Sequence, residues 1–146
     1  MAEAFQAAAI ISGALFAGAA LYINLVEHPA RMQCGIELAA TVFGPSYHRA
    51  TMMQVPLALL AAISAVCSWW FDHSMLWIAG ALLIFAVIPY TLIAILPTNK
   101  RLLRPSRDRK SRETHQLLIR WGRLHALRTV ASLTATIIFL IAALRP

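Results

Sequence analysis

An amide, a carboxylate, an imidazole and a guanidinium end the first apolar run of this chain. Asn24, Glu27, His28 and Arg31 follow residues 4–23, which contain no charged side chain. Their spacing of i, i+3, i+4 and i+7 places them on one face of a helix. At the mouth of a membrane helix such groups are costly unless they pair or meet water. They therefore form either a charged helix end that reaches the interface or a site that handles protons or a ligand.

Two further polar stripes follow helical spacing. One, at i, i+4, i+7 and i+11, consists of Trp121, His125, Arg128 and Ser132. The other consists of Tyr47, Thr51 and Gln54. Arg128 falls a turn or more inside the last apolar run, where an arginine without a partner costs at least about 2.5–3.5 kcal/mol. Glu27 is its natural partner, and the sequence predicts an ion pair between Glu27 and Arg128 that joins the first and last spans.

A metal site built from His28, His48, His125 and Glu27 is also conceivable. None of these residues forms a tight ligand pair such as His-x-x-x-His, so the spacing gives only a weak signal. The chain has no dinucleotide-binding fingerprint, phosphate loop, CxxCH haem site or serine-hydrolase elbow. We therefore assign no metal ligands.

The composition indicates that membrane helices position these groups. Of the 146 residues, 60% are hydrophobic and 13% are charged, and the mean hydropathy is +0.67. We therefore predict an integral membrane protein and, from its length, a single domain over residues 1–146. The net charge of +7 does not indicate nucleic-acid binding, because nine of the thirteen basic residues lie between Lys100 and Arg123. A basic segment between two apolar runs instead faces anionic membrane lipid.

Four apolar runs are long enough to cross the hydrocarbon core, which needs about 20 helical residues. They cover residues 4–26, 52–71, 74–96 and 124–144. The expected fold is all-α, a four-transmembrane-helix bundle. Asp72-His73 is short enough for a tight turn between the second and third spans. Residues 32–43 follow an i, i+4, i+7, i+11 apolar pattern, which predicts a short interfacial helix after the first span, ended by Gly44-Pro45.

The distribution of Lys and Arg predicts the orientation. The first and third connections carry eleven of these residues, the N-terminus and the second connection carry none, and the C-terminus carries only Arg145. The positive-inside rule then places the basic loops in the cytoplasm and both termini outside. We expect an integral protein of a bacterial inner membrane, with Trp69, Trp70 and Trp77 in an outer aromatic belt.

Four motifs, in this order, extend over nearly the whole chain. They are Glu27-His28-Pro29-Ala30-Arg31 after a small-residue span, Ser46-Tyr47-His48-Arg49-Ala50, Leu96-Pro97-Thr98-Asn99-Lys100-Arg101-Leu102, and Trp121-Gly122-Arg123-Leu124-His125-Ala126-Leu127-Arg128-Thr129. Their combination and spacing resemble the anthrone oxygenase family, which consists of small membrane proteins with four spans. No single motif is decisive, and the combination carries the resemblance.

The resemblance implies that the chain uses O₂ to oxidise an anthrone-like or phenolic hydrophobic substrate, whose methylene becomes a quinone carbonyl, without a metal or organic cofactor. The positions that match the family are Asn24, Glu27, His28, Asn99, Trp121, His125 and Arg128. A base would remove an acidic proton, cationic and amide donors would stabilise the enolate, and the electron-rich anion would reduce O₂. We assign substrate binding to Asn24, Tyr47, Asn99, Trp121 and Arg128.

His125 is the favoured base. Trp121, one turn before it, could stack a planar substrate, and Arg128, one turn after it, could stabilise an oxyanion. His28 is the second candidate, with Glu27 beside it as a catalytic or structural partner.

The other interpretation is a non-catalytic membrane protein that binds a lipid, a quinone or a metal, or serves as a partner subunit. Only an enzyme would consume O₂ with an activated aromatic substrate. The expected partners are a hydrophobic small molecule, O₂ and membrane lipid, and not nucleic acid. The sequence leaves open whether copies of the chain form a homo-oligomer.

Overall fold

Four long helices account for most of the chain. The computed structural model describes residues 1–145. The helices are α1 (Ala2–Gln33), α2 (Ile36–Asp72), α3 (Met75–Leu102) and α4 (Arg112–Ala143), and each is long and apolar enough to cross a membrane. No strand occurs in the part of the chain that the structure describes. The predicted all-α fold with four apolar spans is therefore confirmed, and it indicates an integral membrane protein.

The helices form a bundle in which each packs mainly against two neighbours. α1 contacts α2 and α4, and α3 contacts the same two helices. Gln6 near the start of α1 donates a hydrogen bond to Asp72 at the end of α2 (3.3 Å), so these two helices run antiparallel. Phe16, Trp77 and Phe139 belong to the apolar core of one half of the bundle. The orientation of the bundle, with both termini outside, stays a prediction.

The hairpin between α2 and α3 is as tight as the sequence predicts. His73 adopts a left-handed conformation (φ 57°) just after α2, and one Asp72 carboxylate oxygen accepts a hydrogen bond from the backbone N–H of Ser74 (2.9 Å). The other oxygen accepts from Nε1 of Trp77 (2.6 Å). Trp77 is fully buried and stacks on Phe139, with ring centroids 5.7 Å apart. The expected place of Trp77 in a lipid-facing belt is therefore wrong, since Asp72 and Phe139 hold its ring in the core.

α2 continues through Gly44-Pro45, where the sequence predicts a break. From Ile36 onwards the expected interfacial segment is helical, but it forms the first turns of α2 rather than a separate helix. Phe43 is buried, stacks on Tyr47 one turn later (centroids 6.0 Å apart) and contacts α4. A proline inside a helix costs about 3 kcal/mol, which the burial of such aromatic side chains, at about 1.5–3 kcal/mol each, offsets. Tertiary packing therefore keeps α2 helical.

Two π-helical turns lie close to prolines. One covers Ile23–Glu27 in α1 and precedes Pro29, and the other covers Thr91–Ile95 in α3 and precedes Pro97. A proline withholds one N–H from the helical hydrogen bonds, and the wider π turn absorbs the loosened backbone. Both turns contribute side chains to the same cavity, which is described below.

The contact between Gly80 and Phe139 gives a test of the packing. A Cβ atom at Gly80 would lie 2.7 Å from Phe139 Cδ1 and nearer still to Cε1, and Trp77 holds that ring in place. Gly80→Ala is expected to lower the free energy of unfolding by about 1–3 kcal/mol, the usual cost of overpacking a core. The measurement is thermal unfolding in detergent. Gly18→Ala is the matched control, because a Cβ atom there meets nothing within 4 Å. An equal loss in both variants would contradict the packing.

Candidate active site

All four helices line one small cavity. Its volume is about 20 Å³, which is room for one or two water molecules. The residues that line it are Ile23 and Arg31 from α1; Phe43, Ser46, Tyr47, Ala50, Thr51 and Gln54 from α2; Thr91, Ile95 and Asn99 from α3; and Trp121, His125 and Arg128 from α4. Aromatic and aliphatic side chains thus surround a few polar groups, as in many small-molecule sites.

His125 lines this cavity with its ring held in one tautomer. The residue is 2% exposed, and its Nδ1 lies 2.6 Å from Asn24 Oδ1. Asn24 is fixed in turn, because its Nδ2 donates to the Gly122 carbonyl (3.1 Å) and its Oδ1 accepts from the Thr129 hydroxyl (2.6 Å). An amide oxygen can only accept, so the ring hydrogen of neutral His125 is on Nδ1 and the basic lone pair is on Nε2.

Arg128 reaches the cavity from the same face of α4. One of its terminal nitrogens, Nη2, donates to Gln54 Oε1 on α2. Its guanidinium also lies over the Phe16 ring, 4.9 Å from the centroid. Among residues 1–145, no carboxylate forms an ion pair with Arg128. An amide oxygen and an aromatic face therefore provide its contacts in the bundle, and its charge is not neutralised.

The predicted ion pair between Glu27 and Arg128 is therefore wrong. Glu27 turns towards α2 instead, where its Oε1 accepts from the Ser46 hydroxyl (2.6 Å). The same oxygen lies 3.5 Å from Nη1 of Arg31, one turn further along α1. Arg31 is thus the nearer cation for Glu27. Two arginines line the cavity and one carboxylate stands beside them, which leaves one excess positive charge.

Trp121 is enclosed by side chains that leave little of its ring open for stacking. It is 6% exposed. His125 stacks on it with ring centroids 4.8 Å apart, and the Arg31 guanidinium lies 5.2 Å from its centroid. His28 packs on it from α1, with ring centroids 5.2 Å apart, and does not line the cavity. A side chain at Gly122 would prevent this approach, since a Cβ atom there would lie 2.7 Å from His28 Nε2.

Buried polar atoms without a partner concentrate at this cavity. Among residues 1–145, five buried side-chain N and O atoms have no hydrogen-bond partner, and all five belong to lining residues: Gln54 Nε2, Asn99 Nδ2, Asn99 Oδ1, Trp121 Nε1 and Arg128 Nε. A buried polar group without a hydrogen bond costs about 1–3 kcal/mol. Four donors and one acceptor around one cavity suit a ligand that carries oxygen atoms.

The structure brings together most of the residues that the sequence singled out. Those that line the cavity are Tyr47, Asn99, Trp121, His125 and Arg128, and Asn24 holds His125 from behind. Glu27 and His28, like Asn24, lie outside the lining. The sequence placed Arg31 in the first polar cluster and Gln54 in a polar stripe, but neither was assigned to catalysis or substrate binding, although an amide inside an apolar run is a signal of a site. It missed Phe43 and Thr91. Within residues 1–145, no group of three or more His, Cys, Asp or Glu is placed to hold a metal ion.

Comparison with known proteins finds relatives over most of the chain. The family model described as anthrone oxygenase matches residues 43–138. The anthrone oxygenase tpcL of Aspergillus fumigatus is 24% identical over 143 residues, covering 91% of this chain and 89% of that protein. An anthrone oxygenase of Claviceps purpurea is also 24% identical over 143 residues, covering 88% and 82%. No solved structure matches. Both relatives are fungal, so they do not support the expected bacterial inner membrane.

Proposed function

The chain belongs to the anthrone oxygenase family, and we propose that it uses O₂ to oxidise an anthrone-like phenolic substrate that is dissolved in the membrane. The two fungal relatives are named for that activity. The substrate class is a flat, hydrophobic molecule with an acidic C–H group or phenol conjugated to a carbonyl. The reaction needs no metal or organic cofactor, because the substrate anion itself supplies the electrons.

The observation that carries this proposal is the set of unpartnered donors beside an excess positive charge. Gln54, Asn99, Trp121 and Arg128 each keep a buried N–H without a partner among residues 1–145. Such donors stabilise an oxyanion more strongly in a dry cavity than in water. An apolar molecule that becomes an anion during the reaction is therefore favoured over one that stays neutral.

His125 is the base in this mechanism. Its Nε2 removes a proton from the methylene of the anthrone, or from the phenol of its tautomer, and an enolate forms. Arg128 and the amide of Asn99 stabilise the negative oxygen of the enolate. Asn24 holds the Nδ1–H of the base throughout, since the hydrogen bond from Nδ1 (2.6 Å) also favours the imidazolium that forms.

The enolate then reacts with O₂. Transfer of one electron gives a carbon radical and superoxide, which combine to a peroxide with a new C–O bond. The imidazolium of His125 returns its proton to the peroxide anion. Loss of the remaining C–H proton and of the terminal O–H as water leaves the quinone carbonyl. One methylene and one O₂ thus give one carbonyl and one H₂O.

The test is turnover by the wild-type protein in lipid nanodiscs. With an anthrone, we expect one O₂ consumed and one quinone formed per turnover, without hydrogen peroxide, at a rate above that of protein-free nanodiscs. Oxygen uptake and quinone absorbance are measured together. Rates equal to the protein-free background for anthrones and hydroquinones would overturn the oxygenase and favour the non-catalytic binding protein.

Asn24 gives a prediction for a residue that positions the base. Asn24→Leu removes the acceptor for His125 Nδ1–H and is expected to lower kcat by about 10²-fold or more with little change in KM, because the ring is no longer held in the productive tautomer. Asn24→Asp keeps an acceptor oxygen and is expected to restore most of the rate, with a shifted pH profile. Equal losses in the two variants would mean that Asn24 only supports the fold.

A further inference from the structure

A second space adjoins the cavity between α2 and α3. Its volume is about 100 Å³. It shares five lining residues with the cavity: Tyr47, Thr51, Gln54, Thr91 and Arg128. We propose that this opening, the α2–α3 portal, admits the planar hydrophobic substrate from the bilayer and holds its rings during the reaction. The kind of ligand rests on the proposed function, whereas the place of entry rests on the geometry of the two spaces.

The size of the cavity requires such an extension. About 20 Å³ accommodates one or two water molecules, whereas a three-ring molecule is many times larger. The portal adds the larger part of the space, and the five shared residues place the two spaces side by side. A substrate therefore places its reacting carbon and oxygen among the polar groups and leaves its rings in the portal.

The lining of the portal is apolar at its rim and polar at its floor, which suits an amphipathic substrate that enters from lipid. At the rim, Val55 on α2 is 40% exposed and Leu92 on α3 is 58% exposed. At the floor, Arg128 donates to Gln54. An amphipathic phenol that moves in from lipid thus meets apolar side chains first and hydrogen-bond donors last. Leu92 also belongs to the π-helical turn Thr91–Ile95, which widens α3 at this point.

The groove on the other side of α2 is also lined mostly by apolar side chains, but it carries a carboxylate and a guanidinium. This α1–α2 groove has a volume of about 320 Å³ and also meets the cavity lining, at Ile23, Ser46, Ala50 and Gln54. Its lining includes the charged residues Glu27 and Arg49. Charged groups keep their water, so an aromatic ring that entered through the groove would have to displace it. The portal, whose one charged lining residue is Arg128, is therefore the favoured route for an aromatic substrate.

The test measures binding rates of a product-like probe, which need no turnover. The probe is 1,8-dihydroxyanthraquinone, followed by its visible absorbance in stopped flow with the full chain in nanodiscs. Leu92→Trp places a bulky ring at the rim of the portal, and Val55→Trp does so from the opposite helix. We expect each to lower kon and koff together by about ten-fold, with Kd nearly unchanged, because an entry barrier acts on both directions.

Two matched controls separate the portal from general effects. Ile93→Trp adds the same ring to the neighbouring lipid-facing position, which is 78% exposed and does not line the portal. Met53→Trp adds it to the α1–α2 groove. Both are expected to leave kon within two-fold of wild type. The portal would be overturned if kon were unchanged in both portal variants, or if Met53→Trp lowered kon instead. It would also be overturned if the wild-type protein did not bind the probe. Binding without oxygenation would overturn the proposed function and leave the portal standing.

Discussion

His125→Ala is expected to lower kcat for anthrone oxidation by about 10²–10⁴-fold, the usual cost of removing a general base. The protein should stay folded and inserted, because an alanine at this position leaves Trp121 packed against Phe43 and Arg31. The measurement is oxygen uptake with quinone formation in nanodiscs, alongside the unfolding temperature.

His48→Ala is the matched control for the base. His48 is exposed on α2 and does not line the cavity, so its variant should keep activity within a few-fold of wild type. Added imidazole should restore part of the rate of His125→Ala only, since it can occupy the vacated space. Activity of His125→Ala within a few-fold of wild type would remove this residue from the mechanism.

Arg128→Gln is expected to lower kcat by about 10²–10³-fold, because it removes a charged donor from the developing oxyanion. KM should change less, since the positive charge stabilises the neutral bound substrate less than it stabilises the enolate. The phenol of bound 1,8-dihydroxyanthraquinone should also ionise at higher pH in the variant, which its visible spectrum reports. This second measurement does not depend on turnover.

Arg123→Gln is the control for charge. Arg123 lies on the same helix but is exposed and outside the cavity lining, so its variant keeps the wild-type spectrum and rate. A loss confined to KM in Arg128→Gln, or the same spectral shift in both variants, would show that Arg128 does not stabilise the anion.

The sequence by itself determined the helices and one face of the site. Four apolar runs near 20 residues long require four spanning helices, because lipid offers no hydrogen-bond partner to backbone N–H and C=O groups that lie outside a helix. Asp72-His73 determined the hairpin, since two residues leave no other path. The i, i+4, i+7 spacing of Trp121, His125 and Arg128 placed them together on α4, since residues at that spacing on one helix share a face.

Only the tertiary structure decided the partners of the polar groups. Helical spacing shows which residues share a face, but it does not show which helix that face contacts. Glu27 was therefore paired with Arg128, whereas Arg31 is the nearer arginine. The π-helical turn Ile23–Glu27 rotates the end of α1, and Glu27 then meets Ser46, while Arg128 finds Gln54 on α2. Proline likewise predicts a break at Gly44-Pro45 from local chemistry alone. The burial of Phe43 against α4 and its stacking on Tyr47 offset the cost of that proline.

The choice between the two histidines was decided in the same way. His28 and His125 have the same chemistry and both lie near span ends, so the sequence could favour one only through its neighbours. The bundle places His28 against Gly122 and Trp121, outside the lining of the polar cavity. It places His125 in the lining, with Asn24 on its Nδ1. Contacts between α1 and α4, which are about a hundred residues apart in the chain, made that difference, and no local pattern encodes them.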